Sequence, residues 1–265
     1  MSTLVPRHVV VCGAGVIGAA VAYFLTLRGI AVTVVERTGV ACAASGKSGG
    51  FIALDWCDNS ELGPLARLSF ALHARLAEEI RTDYGYRRMD TYMVAAREHG
   101  TVPGGHRVPA PRWIDGETVV AGALGSPDTT AQVHPARFTR ALLDAALARG
   151  GDLRMGRVDG VSVASGLVHG VIVDGELLRA DVVVLAMGPW TGRAAGLSLP
   201  QIHGLKGYSV TLDAPMCPRT RSSWTTAWRA AARSNPRSSR ARTARCTCVG
   251  WRIASPCPTR RRASR

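Results

Sequence analysis

Three glycines and one carboxylate carry the clearest chemistry in this chain. Gly13, Gly15 and Gly18 satisfy the spacing G-x-G-x-x-G, and Glu36 follows 18 residues after the last of them. A glycine at 13 permits a tight strand-to-helix turn. One at 15 lets backbone approach a pyrophosphate, and one at 18 lets a helix lie close on a sheet, with Ala22 small one turn later. The backbone of Gly13, Ala14, Gly15, Val16, Ile17 and Gly18 is then expected to face the phosphates of a dinucleotide. Free N–H groups and partial positive charge at a helix N-terminus favour an anion there. Glu36, with Arg37 beside it, is expected at a ribose, because a carboxylate accepts from ribose hydroxyls and repels a 2′-phosphate.

These residues need a β-α-β unit to position them, and the flanking pattern supplies one. Residues 8–12 (HVVVC) read as a buried parallel strand. A helix follows, with Ile17, Val21, Phe24 and Leu25 on one face and Gly29 as its stop. Residues 31–37 (AVTVVER) read as the second strand. Residues 38–50 are small, polar and glycine-rich, a loop leading into a helix. Leu62, Leu65, Leu68, Leu72, Leu76 and Ile80 make a helical stripe, and TYMVAA is strand-like. Pro135 suits the first turn of a helix over 135–149, which places His134 at a helix start rather than in acid–base chemistry. From 157 to 187 the pattern has period two. VSVA, VHGVIVDG and DVVVLA are separated by Ser165-Gly166 and Asp174-Gly175, both hairpin signals. We read them as a three-stretch meander ending in a buried apolar strand, with GPWTG after it and Trp190 as a packing residue.

The β-α-β unit alone leaves FAD and NAD both open. An NAD-type fold is expected to continue directly with further β-α-β units, whereas here a long insertion precedes the meander. The segments GAGVIGAAVAYFLTLRGIAVTVVER, ASGKSGGFIALDW, AQVHPARFTRALLDAALARG and ADVVVLAMGPWTG, in that order, resemble the D-amino-acid oxidase superfamily of FAD-dependent oxidoreductases. The ASGKSGGF wording is most similar to fungal and plant oxidoreductases of that superfamily, and the likeness covers roughly residues 8–215.

That resemblance implies an α/β fold: a Rossmann-type, glutathione-reductase-like FAD domain with an inserted, mixed-sheet substrate domain. The FAD domain would comprise 1–60 and 135–200, and a partial substrate domain 61–134 and 201–215. FAD would be bound non-covalently, with Glu36 on the adenine ribose. The loop of Ser45, Gly46, Lys47, Ser48, Gly49 and Gly50 would pass the pyrophosphate and flavin. Lys47 would reach phosphate or stand solvated. Val158 would meet adenine through its backbone, and Gly188 would let the last apolar strand end close to the cofactor. The activity implied is oxidation of the C–N bond of a small amine or amino acid, with O2 or another acceptor taking the electrons. No catalytic residue stands out; Lys206 and Tyr208 lie in GLKGYSV, and Tyr208 is the one weak candidate.

Charge divides the chain. Of 33 basic residues, 13 are arginines within 216–265, a stretch with no acidic residue, so the body holds 20 basic against 19 acidic residues. Periodicity also stops near 215. We read 216–265 as a basic tail produced by a frameshift near 214–219. One permitted coding of residues 241–250 (ARTARCTCVG), read one base earlier, gives PDGTVYVCG, which restores an acid and strand-like alternation. The rival reading is a nucleic-acid arm, in which arginines meet phosphates and Trp224, Trp228 and Trp251 stack on bases. We rank it well below a small-molecule enzyme. Seven cysteines at irregular spacing offer no four-ligand zinc pattern, and Cys12 in an apolar strand reads as core. No apolar run reaches the roughly 18 residues a membrane span needs, and no signal peptide is evident, so a cytoplasmic protein is expected.

Overall fold

A computed structural model describes residues 5–96 and 118–200, together with 202, 212–213 and 245–246. The elements in chain order are β1 (His8–Cys12), α1 (Val16–Thr26), β2 (Ala31–Glu36), α2 (Ala44–Lys47), β3 (Phe51–Ala53), α3 (Gly63–Ile80), β4 (Arg87–Arg88), β5 (Thr91–Ala96), β6 (Thr118–Gly125), β7 (Thr130–Gln132), α4 (Pro135–Leu147), β8 (Asp152–Met155), β9 (Val158–Ala164), β10 (Leu167–Val173), β11 (Glu176–Arg179) and β12 (Val182–Leu185). A 3₁₀ turn, Gly188–Arg193, follows β12.

Four strands form a parallel sheet in the order β12-β1-β2-β8. Alternation along β1 and β2 sends side chains to two different covers. Val9, Val11, Val32 and Val34 pack with Ala19, Ala22 and Tyr23 of α1 and with Phe138, Leu142 and Leu143 of α4. Val10, Cys12 and Val35 pack on the opposite face with Val161, Val171 and Val173. These last three come from the antiparallel meander β9-β10-β11. A parallel sheet covered on both faces calls for near-continuous apolar runs, which HVVVC and AVTVVE supply apart from Thr33 and the strand-end His8 and Glu36. Burial pushes the Cys12 thiol up to about 12, so this cysteine is an inert apolar filler.

Several expectations hold and several need correction. Ser165 and Gly166 have φ of 53° and 77°, and Asp174 and Gly175 have 50° and 83°. Positive φ at both central residues is the type I′ hairpin turn that matches strand twist. His134 caps α4, accepting from Arg137 N on Nδ1 at 3.4 Å, with Pro135 in the first turn. The third meander strand, however, is ELLR, whereas DVVVLA leaves the meander and pairs parallel with β1. It is not a buried strand either, because among the described residues it lies at the sheet edge: Val182 is 40% exposed and its neighbours are half-buried.

The face expected on α1 is rotated. Gly18, Ala19, Ala22, Tyr23 and Thr26 are buried, whereas Ile17 is exposed. The small residues go inward because α1 is wedged between the sheet and α4, where close approach gains more than side-chain size does. The α3 stripe is buried only towards its C-terminal half. Leu62, Leu65 and Leu68 are exposed, whereas Phe70 and Leu76 are buried.

The described residues fall into two units. One combines the chain up to 88 with residues 129–205; the other holds β5 and β6, paired antiparallel. Leu76 of α3 and Tyr84 share the core of Phe138 and Leu142. The small sheet β3-β7-β4 also belongs to the first unit. Among the described residues no helix is long and apolar enough to cross a membrane. Tyr208, Lys206 and nearly all of the arginine-rich segment lie outside the described residues.

Candidate cofactor-binding cleft

The carboxyl ends of β12, β1 and β2 open into a cleft of about 660 Å³ lying wholly within the first unit. Open parallel sheets bind ligands at this edge, beyond the strand ends. Gly13 turns the chain out of β1 at φ 107°, its amide donating to Val35 O at 2.7 Å. A Cβ there would stand 2.6 Å from Ala186 O, so only glycine lets the β1 and β12 ends lie this close. Gly18 is equally constrained, since its Cβ would collide with Gly13 O. The two glycines thus fix a sharp turn that brings the α1 N-terminus to the cleft. Amides in the first helical turn have no intrahelical acceptor. One of them, Val16 N, donates to Ser45 Oγ at 2.9 Å, which ties the 38–47 loop to the glycine turn.

Glu36 closes the other side. Its Oε2 accepts from Ala14 N at 2.9 Å, and its Oε1 accepts from Thr38 N at 2.8 Å and Gly39 N at 3.3 Å. A carboxylate has about four acceptor positions, so three backbone donors leave Oε2 room for a ligand hydroxyl. Glu36 therefore has two tasks: it holds the glycine turn and presents an acceptor to the cleft.

Gly13, Gly15, Ile17, Glu36, Arg37, Ser45, Val158 and Gly188 all line the cleft. Ala14, Val16 and Gly18 stand behind its wall and shape it. Gly46, Lys47, Ser48, Gly49 and Gly50 do not line it. Gly46 is required because a Cβ would strike Ala41 O, and Gly50, at φ 69°, because one would strike Val133 O. Gln132 Nε2 donates to Gly49 O at 3.4 Å. This stretch joins the loop to β7 and the start of α4.

Sequence reasoning missed part of the lining. Arg157 and Asp159 pair at 2.7 Å beside Val158, and Asp159 also accepts from Gly175 N at 3.0 Å. Cys42 is exposed on the cleft wall. Trp190, read as packing, is instead 37% exposed and faces the cleft with Arg37. Arg157 and Asp159 come from the start of β9 and the residue before it, and Trp190 from the turn after β12. The signal that could have found them is position: both segments adjoin carboxyl ends of parallel strands.

The residues fit a dinucleotide. Gly15 keeps the wall free of a side chain where the helix N-terminus meets the cleft, and the nearest atom to a Cβ there would be Ser45 Oγ at 3.0 Å. The arrangement offers a bare backbone turn for phosphates, a carboxylate for ribose hydroxyls, and an apolar wall of Val158, Met187 and Pro189.

Comparison with known proteins decides the family. The model of the FAD dependent oxidoreductase family matches residues 8–239. This chain belongs to that family. It is 30% identical over 237 residues to glycine oxidase of Geobacillus kaustophilus, covering 78% of this chain and 62% of that one. A Schizosaccharomyces pombe protein that bears an oxidoreductase name is 29% identical over 240 residues, covering 79% of this chain and 61% of the relative. The crystal structure of glycine oxidase from Bacillus cereus superposes with a TM-score of 0.69 at 23% identity, over 84% of this chain and 67% of that chain. The fold is therefore the FAD-binding α/β fold of this family, and the family's cofactor is FAD. The chain spans about three fifths of the length of these two sequence relatives.

Proposed function

We propose that this chain binds FAD in the β12-β1-β2 cleft and serves the oxidation of the C–N bond of a small amine or amino acid. The observation that carries the reading is the joint geometry of Gly13, Gly15 and Glu36. A bare turn and a carboxylate with a free acceptor position are held together by the Ala14 N–Glu36 bond. Gly13 and Gly15 would take the pyrophosphate with the first-turn amides of α1, Glu36 the ribose, and Arg37, Val158 and Gly188 the adenine end. When bound, FAD supplies the two-electron acceptor that the protein's own side chains lack. The amine class is supported by likeness to glycine oxidases, and O2 or another acceptor would take the electrons onward. Tyr208 is the candidate for holding a substrate carboxylate.

The purified 1–265 chain, prepared gently, tests this by its visible absorbance. Flavin bands that stay with the protein and release FAD on denaturation are expected. A folded, colourless protein that also takes up no added FAD would overturn the reading. Peroxide release with a panel of amines and amino acids then separates an oxidase from a second reading, a flavin-binding remnant without turnover.

The arginine-rich tail is, in this proposal, a frame error rather than a nucleic-acid arm. Transcript sequencing across codons 214–219 checks it. A confirmed written frame with no single-base slip would reject it.

A further inference from the structure

Arg37 and Trp190 meet although nothing in the core requires them to. Arg37 follows Glu36 just beyond β2, and Trp190 lies in the 3₁₀ turn just beyond β12. These strands flank β1 on opposite sides, so the two side chains reach towards each other across the carboxyl end of β1. The guanidinium carbon of Arg37 stands 5.6 Å from the indole centroid, within the roughly 6 Å range of a cation–π contact. Both residues are exposed and both line the cleft. A tryptophan left outside the core, on a cleft wall and under a cation, is a surface prepared for a flat partner.

The order of groups in a dinucleotide says which partner. With pyrophosphate on the Gly13–Gly15 side and ribose at Glu36, the base attached to that ribose falls on the far side of Glu36 from α1. The residues that line the cleft together with Glu36 include Arg37, Val158, Met187 and Trp190, and the contact with Arg37, next in chain to Glu36, brings Trp190 to this end. We propose that Trp190 is the aromatic wall against which the adenine ring stacks, and that Arg37 is a positioning residue that fixes the indole plane before the ligand arrives. Gly188, at φ 55°, sets the turn that presents Trp190. The proposal rests on the FAD reading above and assigns its adenine end.

Titration calorimetry on the full 1–265 chain tests it, using FAD and, separately, ADP, which carries the adenine end without a flavin. Trp190→Leu is expected to weaken both ligands about tenfold, the size of a lost base–aromatic stack. Trp190→Phe should recover most of that loss, and Arg37→Gln should show a smaller loss of the same sign for both ligands. A merely structural role would not be rescued by a smaller aromatic ring, and unchanged unfolding midpoints would show that the variants fold. If Trp190→Leu leaves ADP affinity within about twofold, this inference is overturned while the FAD reading stands. If the unaltered chain binds neither FAD nor ADP, the FAD reading fails and this inference falls with it.

Discussion

β1 and β12 are paired residue for residue, Val9 with Val182 through Cys12 with Leu185, and their sequences are nearly interchangeable. Yet residues 9–12 are at most 1% exposed, whereas Val182 is 40% exposed and the rest of β12 is half-buried. Composition therefore does not set burial here; sheet order does. Among the described residues β1 has a strand on each side, whereas β12 has one on a single side. The glycines beyond them differ in the same way. Gly13 is hemmed in by Ala186 O, whereas a Cβ on Gly188 would meet nothing within 4 Å. The molecule thus has a rigid side and an open side at one cleft, and the cofactor end proposed for each follows: phosphates on the rigid turn, adenine on the accessible one.

The largest expected effect breaks the rigid side. Gly13→Ala forces a left-handed backbone on a side chain and drives Cβ into Ala186 O, so a loss of at least about 3 kcal/mol is expected, with no FAD retained. Chemical unfolding and bound-flavin absorbance check both parts. Next comes the paired strand test. Val11→Ala should cost about 2–3 kcal/mol and Val184→Ala about 1 kcal/mol or less, because only the first leaves a cavity in a closed core. Equal losses would mean that β12 is as enclosed as β1. Gly188→Ala should cost only about 1–2 kcal/mol, the left-handed penalty without a clash. A loss matching that of Gly13→Ala would erase the distinction between the two turns.

What the sequence showed plainly was local. The turn glycines, the Ser165-Gly166 and Asp174-Gly175 hairpins and the Pro135 helix start are each decided by a few adjacent residues, and each lies where its chemistry requires. What it hid depends on partners distant in the chain. Ala19 and Ala22 face inward because α4 lies against α1, a fact no helical period contains. ELLR has no apolar alternation that marks a strand, whereas DVVVLA is an apolar run and reads as the next stretch of the meander. Trp190 and Arg37 are 153 positions apart and meet only because β1 sits between their strands. Glu36 was legible as a carboxylate at the end of β2 beside the glycine turn, but its bonds to Ala14, Thr38 and Gly39 were not.

The smallest effect probes the rigid side from behind the cleft. His73 of α3 lies against Phe138 of α4 with ring centroids 4.7 Å apart, and Tyr84 packs on the same phenyl ring at 5.1 Å. His73 Nδ1 has no hydrogen-bond partner among the described residues. Burial lowers the His73 pKa from 6.5, because the charged imidazolium is disfavoured away from water. The unfolded chain then binds a proton near pH 6.5 that the folded chain does not. Stability is at its full value above that pH and declines as pH falls from 6.5 towards the folded-state pKa, by at most about 1.4 kcal/mol per pH unit. Below the folded-state pKa this contribution levels off. Unfolding midpoints between pH 5 and 8 should therefore fall on the acid side, and His73→Leu should flatten that part of the curve while keeping the contact with Phe138. If His73→Leu leaves the slope unchanged, the imidazole is not the group that loses its proton on folding, and the α3–α4 joint is more open to water than its packing against Phe138 implies.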